Sequence, residues 1–350
     1  MDKYMKAKKI SGIIVLLVVL LLIFTVISAS VGSAKVSLEQ TGLIIASLIP
    51  GINRFVDMES INPNNLKIIL QIRLPRIVLA IFIGMALAGA GVVYQGIFRN
   101  PMADPYIIGV SSGASLGATI GLIIVSGLKF ASLTSASLFA FAGAVGVTFI
   151  VYNIARIKNR ISAVTLLLAG VALSALVSSI NSFILIFRTQ DMAKVIFWLL
   201  GGLTSASWQQ VLIVAPVVVL LLVACGFFMR DLNLVSLGDE RASQLGVSTE
   251  KVKIILLVLA SFMAASAVSV SGIIGFVGLI TPHIMRLIVG PDHRKLFVSS
   301  AFAGGIVLLF SDTLARMVLE PREIPVGIIT SIVGVPFFIY LLVRSKKEVF

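Results

Sequence analysis

The sequence predicts an all-α polytopic membrane protein with ten transmembrane spans. Three observations carry this. Of 350 residues, 58% are hydrophobic and only 12% charged, with a mean hydropathy of +1.10. Soluble domains carry about 25% charged residues, so this chain cannot clothe itself in polar surface. Residues 10–27, 77–93, 208–229 and 326–343 contain no charge, and each approaches the ~20 residues that cross a bilayer core. Finally, the ~10-residue alternating segments of a membrane β-barrel are absent from the sequence.

The spans follow in order. The first covers about 10–31, behind Lys3, Lys6, Lys8 and Lys9 and ahead of the small residues SASVGSA. That layout also suits a signal peptide, but the apolar run is long for one; a retained helix is expected. Residues 32–67 form an extracytoplasmic loop with the turn formers LIPGINR and INPNN. Spans two to five are placed at 68–98, 104–126, 133–153 and 163–187. Residues 188–207 are too short and interrupted for a span. They predict a short interfacial helix ending at Gly201-Gly202, with Trp198 and Trp208 at the outer interface, where tryptophan is enriched. The sixth span is 208–229. Residues 230–253 mix Leu232, Leu234, Leu237 and Leu245 with Asp239, Glu240 and Arg241. One or two amphipathic helices explain that pattern, and the leucines ask for a partner; a plain solvated loop is the simpler alternative. The last four spans are placed at 252–270, 274–290, 296–318 and 325–343. The whole chain, 1–350, reads as one transmembrane domain.

Basic residues orient the spans. With both termini in the cytoplasm, 18 of the 28 Lys and Arg residues fall inside, as the positive-inside rule requires. This topology also accounts for the net charge of +13 without nucleic acid.

Catalytic chemistry is missing from the sequence. There is no GxxxxGK[ST] phosphate loop, no HExxH and no CxxC. Two histidines and one cysteine make no metal cage. His283, one turn before Arg286, and Cys225, inside an apolar run, read as structural residues. No acidic residue falls mid-span: Asp104 is placed at an inner end and Asp312 near an outer one. Ion-coupled carriers keep ionisable groups at depth, whereas the fifth span offers Ser174, Ser178, Ser179, Asn181 and Ser182. A permease powered by another chain fits this better than a secondary carrier, and a membrane enzyme fits least.

Gly109, Gly113, Gly117 and Gly121 recur at steps of four. A dinucleotide fingerprint needs a strand before it and a soluble βαβ unit around it, and neither is present. On a helix the four glycines form a slanted ridge about 18 Å long. Small-xxx-small rows let membrane helices approach closely. Ala80, Gly84 and Ala88 form a similar row. Two tightly packed helices are expected.

The stretches RLPR (73–76) and GMALAGAGVVYQGIFRNPMADPYIIGVSSGASLGA (84–118) closely resemble the vitamin B12 and iron–siderophore permease family of ABC importers. So do LLLAGVAL (166–173), FWLLGGL (197–203), LGDERASQLGV (237–247), GFVGLITPHIMRLIVGPDHR (275–294) and EIPVGIITSIVGVPFFIYLL (323–342). The resemblance covers almost everything after residue 65. It implies a B12-permease-like, type II importer fold of ten helices per subunit. Spans two to five and seven to ten would form an inverted repeat, since they start on opposite sides. It implies a homodimer or a pair with a paralogous permease, two ATPase subunits below, an extracytoplasmic substrate-binding protein above, and surrounding membrane lipid. ATP and magnesium would sit on the ATPase partners, with no cofactor on this chain.

The resemblance also assigns residues. Leu237, Gly238, Asp239, Glu240, Arg241, Leu245 and Gly246 match the coupling helices that enter the ATPase cleft. Arg73, Arg76 and Arg316 match outward arginines that dock the binding protein; the alternative is anchoring of helices at the headgroups. Asn100 and Met102 match one part of the cytoplasmic gate, and Ala163 and Val164 the other. Some relatives carry hydroxyl residues at this second place, so a gate closing by dewetting is an alternative. The fifth and tenth spans of both subunits would line the pathway, with Ser178, Ser179 and Asn181 as candidates. The implied cargo is a metal chelate, ferric siderophore first, then cobalamin or haem.

Overall fold

A computed structural model of the chain describes residues 2–32, 34, 36–48, 51, 54, 57, 61–127, 133–157 and 160–347. Much of the LIPGINR stretch lies outside the described residues.

The chain is built from helices. They are α1 (Asp2–Ser30), α2 (Leu38–Ser47), α3 (Pro63–Lys67), α4 (Leu74–Phe98), α5 (Val110–Gly127), α6 (Leu133–Ala155), α7 (Ala163–Phe187) and α8 (Met192–Leu199). Then come α9 (Trp208–Phe227), α10 (Met229–Ser236), α11 (Asp239–Gln244), α12 (Thr249–Ser271), α13 (Val277–Val289), α14 (His293–Met317) and α15 (Val326–Lys347). A two-residue antiparallel pair, Arg156–Ile157 with Arg160–Ile161, turns the chain between α6 and α7. Seven helical stretches among the described residues are long and apolar enough to cross a membrane, and three shorter apolar helices accompany them: Val110–Ile124, Val277–Val289 and Val326–Tyr340.

Local chemistry sets many boundaries. Asn62 caps α3 and Pro63 opens it, the position where a missing N–H costs nothing. Ser162 and Ser207 cap α7 and α9 with their side chains. A π segment, Ile68–Arg73, joins α3 to α4. Its wide turn leaves carbonyls off the regular ladder, and the Leu70 carbonyl accepts a hydrogen bond of 2.8 Å from Trp208 Nε1. The third predicted span starts late, at Val110 rather than 104. Pro101 and Pro105 disfavour helix, and Gly109 sits at φ +88°.

The packing shows an internal relation. α4 packs on α14 as α12 packs on α6, and α4 meets α13 as α12 meets α5. Exchanging the segment 74–187 with the segment 249–347 maps each pair onto its counterpart, and the α4–α12 contact onto itself. α4 is the central helix; Tyr94 is fully buried there and its hydroxyl lies 2.8 Å from Ser261 Oγ on α12.

Small residues make these contacts possible. A Cβ on Gly113 would lie 2.8 Å from Val147 Cβ and overlap the Gly143 carbonyl of α6. On Gly117 it would lie 2.7 Å from the Phe139 carbonyl carbon, and on Gly121 2.9 Å from Ala136 Cα. The 109–121 ridge therefore meets α6. Gly84 meets a different partner: a Cβ there would lie 2.9 Å from Gly305 Cα on α14 and overlap the Gly304 carbonyl. The two glycine rows serve separate helix pairs.

Candidate functional site

α10 and α11 occupy the 230–253 segment. The short helices are joined at Leu237-Gly238, and Gly238 at φ +117° adopts a backbone open mainly to glycine. Gly246, at φ +84°, makes the same kind of exit from α11. Leu232 and Val235 are fully buried against the body. Leu237 and Leu245 stay 57% and 61% exposed, and Glu240 and Arg241 are exposed beside them. The pair is therefore amphipathic, with its inner leucines packed and its outer ones bare.

Asp239 does something else. Its carboxylate takes a 2.6 Å bond from Lys253 Nζ on α12 and a short one from Arg99 just past α4. It is half-exposed, and its two ion pairs brace α11 against the end of α4 and against α12. Burial pushes the Asp239 carboxyl up, but Lys253 and Arg99 outweigh that and hold it below the usual carboxylate range. The ion pairs thus stabilise the segment above the unfolded value near 4, and that stability is lost as pH falls through the depressed folded value. Asp239→Asn should flatten the acid limb of the melting temperature measured from pH 7 to pH 3. A variant as acid-sensitive as wild type would remove Asp239 from this role.

The same ion pairs line a cavity of about 250 Å³ with Phe98, Ser162 and Leu166. It joins the end of α4 to the start of α7. Asn100 is exposed, and its Oδ1 accepts from the Met102 amide at 2.9 Å; Met102 is half-buried. Val164 is 65% exposed at the first turn of α7, which Ala163 opens. The 101–109 connection reaches α7 directly, since a Cβ on Gly170 would overlap the Ile107 carbonyl. The two stretches assigned to the gate are therefore neighbours through Phe98, Arg99 and Ile107.

Four of the assigned side chains lie buried. Arg73, Arg76 and Arg316 are not on an outer rim; they are 5%, 7% and 6% exposed. Arg76 binds both oxygens of Asp312 at 3.0 Å and Glu323 at 2.8 Å. Arg73 donates to the Ala29 and Ala34 carbonyls, and Arg316 to Ser28 and Val31. The last carbonyls of α1 lack helical partners, and cations are favoured there. These arginines tie the end of α1 to α4 and α14. Asn181 also turns inward: it is 7% exposed and donates to Ser115 Oγ of α5 at 3.0 Å. Ser112 and Ser174 add a second α5–α7 link at 3.1 Å. Ser178 and Ser179 remain exposed on α7. Sequence reasoning overlooked Asp312 and Glu323 as arginine partners because they lie 236 and 247 residues from Arg76. Cys225 is fully buried in the core.

Comparison with known proteins adds to this geometry. A family model described as the FecCD transport family matches residues 20–344. The cobalamin import system permease protein BtuC of Halobacterium salinarum is 46% identical over 275 residues, 77% of this chain and 72% of that protein. The Fe(3+) dicitrate transport system permease protein FecD of Escherichia coli is 41% identical, covering 80% of this chain and 86% of that protein. A solved structure described as a metal-chelate type ABC transporter in an inward-facing conformation superposes with a TM-score of 0.82. It is 32% identical and covers 95% of this chain and 99% of its own.

Proposed function

From the membership of this chain in the FecCD transport family, we propose that it is the membrane-spanning permease subunit of an ATP-binding cassette importer that carries a metal chelate inward. The observation that carries this reading is agreement along nearly all of the chain. The family match spans 20–344 and the superposition covers 95% of the residues.

In this reading α10 and α11 are the coupling element, and the bare Leu237 and Leu245 seat in a groove of an ATPase subunit. ATP and magnesium belong to that partner. Both termini lie in the cytoplasm of a cell whose plasma membrane holds the permease. A second copy, or a paralogous permease, covers the exposed apolar faces of α7 (Leu168, Val171, Phe183) and α15 (Ile332, Val333, Ile339). The pathway runs between them past Ser178 and Ser179, and an extracytoplasmic binding protein delivers the cargo.

Ferric siderophore is the first choice of cargo, then cobalamin or haem. The relatives named for cobalamin and for ferric dicitrate are 46% and 41% identical, so identity does not choose between these cargoes, and in this reading the binding protein sets selectivity. Thermal-shift screening of that binding protein against siderophores, cobalamin and haem identifies the ligand.

Liposomes containing the permease with its ATPase should import the chelate only with ATP inside the nucleotide-accessible compartment. Uptake driven by an ion gradient alone would sink the proposal. Leu237→Asp with Leu245→Asp should reduce chelate-stimulated ATP hydrolysis at least tenfold and abolish co-purification of the ATPase. The fold should be spared, because both side chains already face solvent. Wild-type co-purification would remove α10 and α11 from the interface.

A further inference from the structure

The end of the bundle that carries α10 also holds a second cavity, of about 540 Å³, between the ends of α4, α10, α13 and α14. Its walls include Gln95, Arg99, Asn233, Arg286, His293 and Arg294. The charges on this wall are unevenly matched. Arg99 is paired with Asp239, and Arg294 holds Asp292 through two bonds of 3.2 and 3.1 Å. The Asp292 carboxyl, raised by burial but lowered more by Arg294 and Asn233, is held down at about 2. It is therefore committed to its present partners.

Arg286 is not matched. Among the described residues no carboxylate pairs with it. Its one bond is a long 3.4 Å contact to Gln95 Oε1, and its Nε is buried without a partner. The residue is half-buried, and a guanidinium withdrawn from water in part without a counter-charge carries an uncompensated desolvation cost. A second orphan lies on the same wall. His293 is 4% exposed; its Nδ1 lies 2.8 Å from Asn233 Oδ1, while its Nε2 is buried and unpartnered beside Gly96. With Nδ1 donating to Asn233, Nε2 is an acceptor that a hydroxyl would satisfy.

We propose that this cavity binds a phosphate ester, with Arg286 as the principal anion ligand and His293 Nε2 receiving a hydroxyl of the same group. An anionic phospholipid headgroup such as phosphatidylglycerol supplies both the phosphate and the hydroxyl. Basic pockets between membrane helices hold such headgroups, and the planar guanidinium suits phosphate oxygens. A soluble phosphate ester shares the chemistry and lacks the acyl chains.

The test uses the full-length permease co-purified with its ATPase, stripped of lipid in detergent. Its melting temperature is measured with phosphatidylglycerol, with phosphatidylcholine, with glycerol 3-phosphate and with inorganic phosphate. Phosphatidylglycerol should raise it by about 3 °C, the scale conferred by a ligand well above its Kd, and phosphatidylcholine should not. A rise with glycerol 3-phosphate or inorganic phosphate as large as that with lipid would make the natural ligand a soluble anion at the same site. Arg286→Gln should melt at or above wild type without ligand, because it removes an unpaired, half-buried charge, and should lose the increment. Arg286→Lys, which keeps charge without the planar fork, should keep a reduced increment. No increment in wild type, as when an ATPase side chain fills the cavity, or an equal increment in Arg286→Gln, would overturn the proposal.

Discussion

Gly143→Ala on α6 should leave little folded permease, whereas Gly146→Ala, one turn along the same helix, should accumulate and melt like wild type or slightly above it. A single methyl group is added in both cases. At Gly143 it meets the backbone of α5, overlapping the Gly113 carbonyl and lying 3.1 Å from Gly117 Cα. At Gly146 nothing lies within 4 Å. Overpacking costs roughly 1–3 kcal/mol where side chains can shift. Here the obstacle is backbone, so one helix must back away along the ridge and the cost reaches or exceeds that range. The control gains the helix propensity of alanine over glycine, up to about 1 kcal/mol. Gly113→Leu and Gly117→Leu should fail for the same reason as Gly143→Ala. The measurement is the yield and melting temperature of monodisperse protein in detergent. Equal behaviour of the alanine pair at 143 and 146 would show that the α5–α6 interface is loose.

Asp312→Ala should cost about 3–5 kcal/mol, the scale for removing one partner of a buried ion pair, read as a large fall in melting temperature. The carboxylate is fully buried and takes three bonds from Arg76, with Arg316 Nε at 3.3 Å. Without it two neighbouring guanidinium groups face each other in a dry site, with only the partly exposed Glu323 to offset them. The loss should spread to α1, because Arg316 also holds the Ser28 and Val31 carbonyls. Proteolysis between α1 and α2 should then speed up in parallel. A melting temperature within a degree of wild type would mean that the cluster is solvated and contributes little. The outcome also separates the two roles weighed for these arginines, since a pure docking residue would not change the stability of the isolated permease.

The glycine rows show what a sequence can tell about packing. Steps of four on an apolar helix require a close neighbour, because glycine in a helix is otherwise a cost without return. Which neighbour is a different matter. Gly113 found Gly143, and Gly84 found Gly304, and nothing local distinguishes those partners from any other small residue. Leu237 and Leu245 were legible as bare leucines because amphipathic periodicity is local. Asp239, in the same run of charges, was not legible as a brace, because its partners Arg99 and Lys253 come from helices far from it in the chain or one element away.

The sequence by itself determined the helical class, the placement of the apolar segments, the exposed pair Leu237 and Leu245 and the family, since each depends on composition, periodicity or contiguous motifs. Only the tertiary structure decided which way the polar side chains at the helix ends and within α7 point. It turned Arg73, Arg76, Arg316 and Asn181 inward, and it left Arg286 without a counter-charge. Such orientations depend on contacts between residues hundreds of positions apart. The free energy of a buried charge is fixed by what lies within a few ångströms of it, and the linear order of residues does not record that distance.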